Sequence, residues 1–179
     1  MAKPSYVLTL DDAQWKDAPK TERFVHVNRS QVGVKETSKN SGPEIDRYLK
    51  VAGGHPGDPW CAAAQYWCAV KSGFSGADLP KHGLSVFGWW QWANATGRRI
   101  LMPNLQRGDL YGWLDKDGSM WHGHIGCCAE VLKDKIRGFE GNTNEAGGRE
   151  GDCYAEKFRT FESFKKHEMF FGIRLEVER

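Results

Sequence analysis

The sequence has no long apolar run, and nothing in it approaches the roughly 18 consecutive apolar residues that a membrane span needs. Asp11, Asp12 and Trp15 also interrupt the N-terminal region where the apolar core of an export signal would lie. We therefore expect a soluble protein that is made in the cytoplasm without a signal peptide of its own and that does not insert into a membrane.

Neither positive nor negative charge dominates the chain. Its 25 Lys and Arg residues stand against 23 Asp and Glu residues, which gives a net charge of +2, and the two signs alternate, as in Lys133-Asp134-Lys135. Nucleic-acid-binding surfaces normally cluster basic residues along one face. Nucleic acid is therefore not the expected partner, and attraction to any anionic polymer would be weak and sensitive to salt.

The five cysteines form no CxxC pair, and their number is odd. A complete disulfide framework and a thioredoxin-like site are therefore both disfavoured. The chain also lacks internal repeats, low-complexity tracts and an obvious linker. Its 179 residues suit one domain that buries its own core. We assign residues 1–22 to an N-terminal extension and 23–179 to that domain.

Helix signals come first along the chain, and strand signals follow. Turn-forming residues delimit four predicted helical segments, at 24–36, 43–53, 59–73 and 84–97. After Arg107 the chain changes to short runs rich in β-branched and aromatic residues, at 108–114, 124–132, 135–141, 151–158 and 169–177. This order predicts an α+β fold in which N-terminal helices pack on a C-terminal antiparallel sheet.

Cys61 occupies an informative position at the start of the third predicted helix. In Asp58-Pro59-Trp60-Cys61, the aspartate is a suitable N-cap and the proline suits the first helical position. The N–H groups and the positive dipole end of a helix N-terminus favour a thiolate, which is the form that attacks a carbonyl carbon. Cys61 is therefore a candidate nucleophile, and its backbone N–H is a candidate oxyanion donor. We expect Cys68 to lie in the core.

A thiolate nucleophile needs a proton carrier, and His124 in Gly123-His124-Ile125-Gly126 is suited to that role. The glycines leave room for close approach, and the apolar run that follows anchors a strand. His122 would share the same face of this strand, so both histidines remain candidates. We favour His124.

The histidine in turn needs a partner that fixes its orientation. Glu140 lies on the next predicted strand, and a hairpin would bring it beside His124. Glu140 would fix the imidazole tautomer and stabilise the imidazolium. Asn142 either supports this network or takes the role itself.

Together these motifs resemble the CHAP branch of the NlpC/P60-like papain superfamily. The resemblance rests on P-W-C-A at a helix start, then G-D-L at 108–110, G-H-I-G at 123–126 and E-x-N at 140–142. It implies a papain-like cysteine hydrolase in which Cys61 is the nucleophile, His124 the base, and Glu140, with Asn142, the third polar element. It also implies cleavage of peptide or amide bonds in peptidoglycan, either as an endopeptidase or as an N-acetylmuramoyl-L-alanine amidase.

Further expectations concern the cleft, the cofactors and the route to the substrate. We expect Asp58, Trp60 and Trp121 to contact substrate. The tryptophans at 89, 90 and 92 form either a sugar-stacking surface or, as we favour, packing within one helix. No cofactor, metal or Asp-rich calcium loop is expected, and the protein is expected to be a monomer. Family members include phage lysins, autolysins and effectors, so delivery through a holin or a secretion system is expected.

Three alternatives remain. The first is a zinc site built from His122, His124, Cys127 and Cys128, with Cys61 or Cys153, although strand alternation places Cys127 opposite His124. A non-catalytic wall-binding module on the same fold is a second alternative. The third keeps the cysteine chemistry but replaces the cell wall with a small peptide-like amide.

Overall fold

A computed structural model describes residues 13–144 and 151–176. It confirms the predicted α+β class, with every α-helix except the short α6 preceding the sheet in the chain. The α-helices are α1 Ala13–Lys16, α2 Lys20–Ser30, α3 Pro43–Ala52, α4 Cys61–Lys71, α5 Val86–Ala95 and α6 Phe161–Phe164. Short 3-10 turns occupy Gly76–Asp78 and Met102–Asn104.

The strands form a single antiparallel sheet. They are β1 Arg99–Ile100, β2 Leu110–Asp117, β3 Met120–Val131, β4 Lys135–Thr143, β5 Cys153–Thr160 and β6 Met169–Ile173. Their order in the sheet is β1-β6-β2-β3-β4-β5, with antiparallel neighbours throughout. The strands β2 to β6 overlap the predicted strand segments. The two-residue β1 was not predicted, because it exists only through its pairing with β6.

Local signals explain where α3 begins and ends. Pro43 occupies its first turn, where the missing N–H costs no hydrogen bond. Gly53 ends the helix in the left-handed region at φ 87°, and its N–H bonds back to the last turn. The predicted third helix also exists, and Gly73 follows its end at φ 94°.

The first predicted helix is displaced. α2 starts at Lys20 rather than near Phe24, and it ends at Ser30 rather than near Glu36. Residues after it pair with the β5 region instead: Gly33 N bonds to Tyr154 O at 2.9 Å, and Glu36 N to Asp152 O at 2.8 Å. This long-range pairing overrides the local helical pattern. α2 therefore crosses the expected boundary at residue 22, whereas residues 1–12 lie outside the described part.

The sheet has an apolar cluster on each face. Along β2, Leu110 and Leu114 belong to the large cluster shared with the helices, whereas Tyr111 and Trp113 belong to a smaller one. This alternation follows from the two-residue period of a strand. Phe164 of α6 covers the smaller cluster. The sheet is therefore buried on both faces where it carries the candidate site.

The strands β3 and β4 separate at the candidate site. Among the described residues their pairing ends at Cys127 and Phe139, although β3 extends back to Met120 and β4 onward to Thr143. His124 remains paired with Trp113 of β2 on its other side. The separated strand ends leave space for side chains from α4 and α5 to approach.

None of the helices in residues 13–144 and 151–176 has the length and apolar character that a membrane span requires.

Candidate active site

Cys61 is the first residue of α4 and is 5% exposed. Its position at a helix start is confirmed, but the predicted N-cap is wrong. Trp60 occupies the cap position, and no side chain caps the helix. The Asp58 carboxylate accepts a hydrogen bond from the backbone N–H of His55 at 2.9 Å instead. Asp58 is therefore used to close the preceding turn.

Backbone donors converge around the Cys61 thiol. The first helical hydrogen bond of α4 runs from Ala64 N to Trp60 O at 2.9 Å. The N–H groups of residues 61–63 precede it, so they have no carbonyl acceptor within the helix. They can donate to a negative charge that develops beside the sulfur. This arrangement is an oxyanion-stabilising end of a helix.

His124 lies beside Glu140, as the hairpin argument predicted. Its Nε2 lies 3.0 Å from Oε2 of Glu140, and both side chains are fully buried. An ionised carboxylate only accepts hydrogen bonds, so Nε2 carries a proton. In a neutral ring, Nδ1 would then be the acceptor nitrogen. Nδ1 is therefore the nitrogen that is available to the thiol.

The Glu140 carboxylate has further donors that sequence reasoning missed. Tyr111 donates its hydroxyl to Oε1 at 2.7 Å. Arg159 donates Nε to Oε1 at 2.8 Å and Nη2 to Oε2 at 2.5 Å. Burial alone would raise the pKa of Glu140, but hydrogen bonds from Arg159 and attraction to His124 hold this pKa well below its usual value. Glu140 is therefore ionised at neutral pH.

The charge on Glu140 determines the protonation of His124. Burial alone would lower the His124 pKa, but attraction to Glu140 and hydrogen bonding with Cys61 and Glu140 raise the pKa to about 9. Among the described residues Nδ1 has no hydrogen-bond partner of ordinary geometry, so its interaction with Cys61 is not a well-formed hydrogen bond. Loose contacts of this kind are common in substrate-free active sites. At neutral pH the imidazolium is the favoured form.

Packing fixes the orientation of the His124 ring. Trp113 lies against it with ring centroids 4.9 Å apart. A side-chain carbon at Gly126 would lie 2.8 Å from Glu140 Cγ and 2.8 Å from the Tyr111 ring. Gly126 therefore makes room for the carboxylate and its tyrosine donor, rather than for Cys61 as the sequence suggested.

An open cleft of about 320 Å³ lies above the thiol. Cys61 is one of its lining residues, and the loop and first turn that begin α5 supply several others. Its lining residues are Asp58, Pro59, Cys61, Leu84, Ser85, Val86, Phe87, Trp121, His122, Gly123 and Asn142. The cleft is therefore accessible to a ligand that reaches the candidate nucleophile.

Comparisons of the chain with protein-family models, curated proteins and solved structures find no match in any of the three.

The alternatives to His124 and Glu140 are His122 and Asn142, and both line the cleft. His122 lines the cleft, but its Nε2 is 3.8 Å from Asp117 Oδ2. Asn142 also lines the cleft, in the left-handed region at φ 54°, and its Oδ1 accepts from Gly151 N at 3.3 Å. Glu140 thus holds Nε2 of His124, whereas Asn142 lines the cleft.

The prediction that Trp60 lines the substrate cleft is wrong. Trp60 is 0% exposed, and its indole N–H donates to Glu36 Oε1 at 2.8 Å. Its ring packs near Tyr48 and Tyr154, with centroids 5.9 and 6.3 Å away. The residue before Cys61 points into the core, because α4 packs on the sheet. Asp58 and Trp121 do line the cleft, as expected of substrate contacts.

The cysteine positions weaken the zinc alternative. All five cysteines are free. Cys127 belongs to the large apolar cluster and Cys128 to the small one, so they lie on opposite faces. Cys68 is buried in the core, as expected. Within the described residues, no group of three or more His, Cys, Asp or Glu side chains is placed to hold a metal.

The remaining missed residues come from α5. Val86 and Phe87 line the cleft, and Ser85 caps the helix by accepting from Gly88 N at 3.2 Å. A serine before an apolar run is an N-cap signal, which located the helix but not its contact with the cleft.

Proposed function

We propose that this protein is a papain-like cysteine hydrolase of the CHAP type that cleaves peptide or amide bonds in bacterial peptidoglycan. The observation that carries the proposal is the juxtaposition of a helix-start thiol with a buried histidine whose far nitrogen is held by an ionised glutamate. A thiol, a proton carrier and an orienting group in this order are the requirements of nucleophilic acyl transfer.

The first half of the reaction forms an acyl-enzyme. The proton of Cys61 resides on Nδ1 of His124, and the thiolate attacks the carbonyl carbon of the scissile bond. The carbonyl oxygen becomes an oxyanion, which accepts from the N–H groups at the start of α4. Nδ1 then protonates the leaving nitrogen, the C–N bond breaks, and a thioester remains on Cys61.

The second half restores the enzyme. Neutral His124 takes a proton from water at Nδ1, and the hydroxide oxygen attacks the thioester carbon. The C–S bond breaks, Cys61 leaves as a thiolate, and a carboxylic acid is released. His124 is then again an imidazolium, which Glu140 stabilises.

Peptidoglycan as substrate rests on the motif resemblance and on the shape of the cleft. The motifs P-W-C-A, G-H-I-G and E-x-N supply the residues that build this site. The cleft is open, which suits a branched polymer better than an enclosed small-molecule pocket would. A papain-like arrangement is also consistent with a helix-start nucleophile packed beside an antiparallel sheet.

The deciding experiment incubates purified sacculi with wild-type protein and with Cys61→Ala, and identifies released fragments by mass spectrometry. Release by the wild type alone supports the proposal, and the new termini identify the bond. A panel of small peptide-like amides, tested in parallel, separates wall hydrolysis from the small-amide alternative. Binding to sacculi without release by either protein would instead indicate a non-catalytic module.

A further inference from the structure

Three aromatic rings form a continuous stack, and two of them, Phe87 and Trp121, line the cleft. Trp90 and Phe87 of α5 lie with ring centroids 5.6 Å apart and planes inclined by 17°. Phe87 and Trp121 of β3 follow at 5.8 Å and 8°. Parallel rings in contact are separated by about 3.5 to 4 Å, so these distances require a lateral offset. The rings therefore form steps, each of which covers only part of its neighbour.

The stepped stack adjoins the candidate nucleophile. Phe87 and Trp121 line the same cleft as Cys61, and all three rings are only partly buried. Trp89, on the same helix, is 0% exposed and belongs to the core. The expectation of internal packing holds for Trp89, and Trp90 and Trp92 also pack against the core. Phe87 and Trp121, by contrast, line the cleft.

Polar and charged groups surround this aromatic surface. Asp58, Ser85, His122 and Asn142 line the cleft together with it. Lys116 lies over Trp121 with its Nζ 5.4 Å from the ring centroid, and its side chain is exposed, so a ligand can displace it. A flat apolar surface bordered by hydrogen-bonding groups suits a ligand with an apolar face and polar edges.

We infer that Phe87 and Trp121 form a saccharide subsite that holds a sugar ring of the substrate beside the scissile bond. The C–H face of a pyranose would lie on the stepped rings, and its hydroxyl and acetamido groups would face the polar residues. This inference rests on the proposed function, because it assigns the glycan of peptidoglycan to the cleft of Cys61. It places cleavage close to the sugar rather than in a remote cross-bridge.

The size of the cleft supports this choice of ligand. A volume of about 320 Å³ lies at the lower end of the range for small-ligand sites. It suits the junction between one sugar and the first residues of a peptide. A protein partner would require a larger contact surface than this cleft offers.

The test uses glycan binding in the Cys61→Ala background, where no cleavage interferes. The probe is peptide-free glycan strands of peptidoglycan, titrated by calorimetry, with sugar-free stem peptide titrated separately. Trp121→Leu and Phe87→Leu keep apolar volume but remove a flat ring. Each is expected to weaken glycan binding about tenfold and to leave stem-peptide binding unchanged.

Trp92→Leu is the matched control on the same helix. Trp92 contacts Trp89 edge-to-face at 5.8 Å and lies beneath Arg98, away from the cleft lining. Its replacement is expected to leave glycan binding unchanged. Thermal unfolding of each variant identifies any loss of affinity that arises from misfolding.

The outcomes separate the subsite from the enzymatic proposal. The subsite is overturned if the Cys61→Ala protein binds no glycan, even if the wild type cleaves sacculi. It is also overturned if Trp121→Leu and Phe87→Leu bind glycan as tightly as their Cys61→Ala parent. Glycan binding that depends on both rings supports the subsite even if no cleavage occurs. If Phe87→Leu and Trp121→Leu do not fold, Trp121→Phe, which retains a smaller ring, should show an intermediate loss, and unchanged affinity would overturn the inference.

Discussion

Arg159 forms a two-point ion pair with Glu140, with Nε 2.8 Å from Oε1 and Nη2 2.5 Å from Oε2. The same carboxylate holds His124, so an arginine on β5 stabilises the ion that orients the candidate catalytic histidine. Arg159 also lies over the Trp113 ring at 5.0 Å, and Trp113 packs on His124. The geometry of the candidate active site thus depends on β5, a strand that contributes no residue to the cleft lining.

Replacing Arg159 should damage both the fold and the reaction. Arg159→Met leaves Glu140 buried without its strongest partner, and breaking such a pair costs about 3 to 5 kcal/mol. Wall hydrolysis should fall at least about tenfold, because His124 loses its fixed partner. Urea unfolding and fragment release from sacculi measure the two effects.

Arg159→Lys serves as the matched variant. Lysine keeps the positive charge but cannot reproduce the two-point contact, so intermediate stability and activity are expected. Wild-type values for both Arg159 variants would contradict a positioning role for the arginine. If Arg159→Met does not fold, the activity of Arg159→Lys still tests the role.

Cys61→Ala should separate chemistry from stability. The substitution removes only the thiol at the start of α4, so the unfolding free energy should change by about 1 kcal/mol. Fragment release should fall by a factor of at least about 1,000, because no other group replaces the nucleophile. A folded variant that retained substantial activity would exclude Cys61 as the nucleophile.

The raised pKa of His124 predicts how activity depends on pH. In the proposed mechanism the imidazolium protonates the leaving nitrogen, so activity should decline as the pH rises through about 9. In Glu140→Gln the negative charge that raises this pKa is absent. The alkaline limit should therefore move to lower pH, by about one to three units. Initial rates across the pH range, measured for both proteins, provide the comparison.

The same shift predicts the direction of the pH dependence of stability. The folded pKa of about 9 exceeds the ordinary value of 6.5, so the stabilisation is complete below pH 6.5 and is lost as the pH rises towards 9. Glu140, whose pKa is lowered, contributes above its ordinary value of 4.5 and loses that contribution as the pH falls below it. If the pH at which activity declines were identical in wild type and Glu140→Gln, the coupling between Glu140 and His124 would be contradicted.

Local sequence signals were sufficient to locate the three groups that meet in the site. Cys61 follows a proline at a helix start, and His124 and Glu140 lie on successive strands whose hairpin juxtaposes them. The helix, strand and turn patterns likewise predicted the α+β class, because the changes in period and the glycine and proline positions mark most element ends.

The features of the fold and of the candidate site that were not predicted depend on contacts between distant parts of the chain. Tyr111 and Arg159 reach Glu140 from β2 and β5, and no local pattern specifies that register. The end of α2 is set by pairing with the β5 region. The position of Trp60 next to Cys61 suggests a place in the cleft. Adjacency in sequence, however, does not determine whether Trp60 or Cys61 faces the core.

Trp60→Phe tests whether this tryptophan is purely structural. The change keeps the buried ring but removes the indole N–H that donates to Glu36 at 2.8 Å. The other Glu36 oxygen still accepts from Asn40 N at 2.8 Å, so the loop before α3 should remain folded. A hydrogen bond to a charged group contributes about 1.5 to 3 kcal/mol. The phenyl ring is also smaller than the indole and leaves core volume unfilled, so the unfolding free energy should decrease by at least that amount.

The kinetic constants distinguish the two tryptophans that flank the catalytic residues in sequence. Trp60→Phe should leave KM for a soluble muropeptide unchanged, because the ring does not reach the cleft. Trp121→Leu should raise KM and cost little stability, because its ring is partly exposed at the cleft. A raised KM in Trp60→Phe, at wild-type stability, would return Trp60 to the substrate-binding surface.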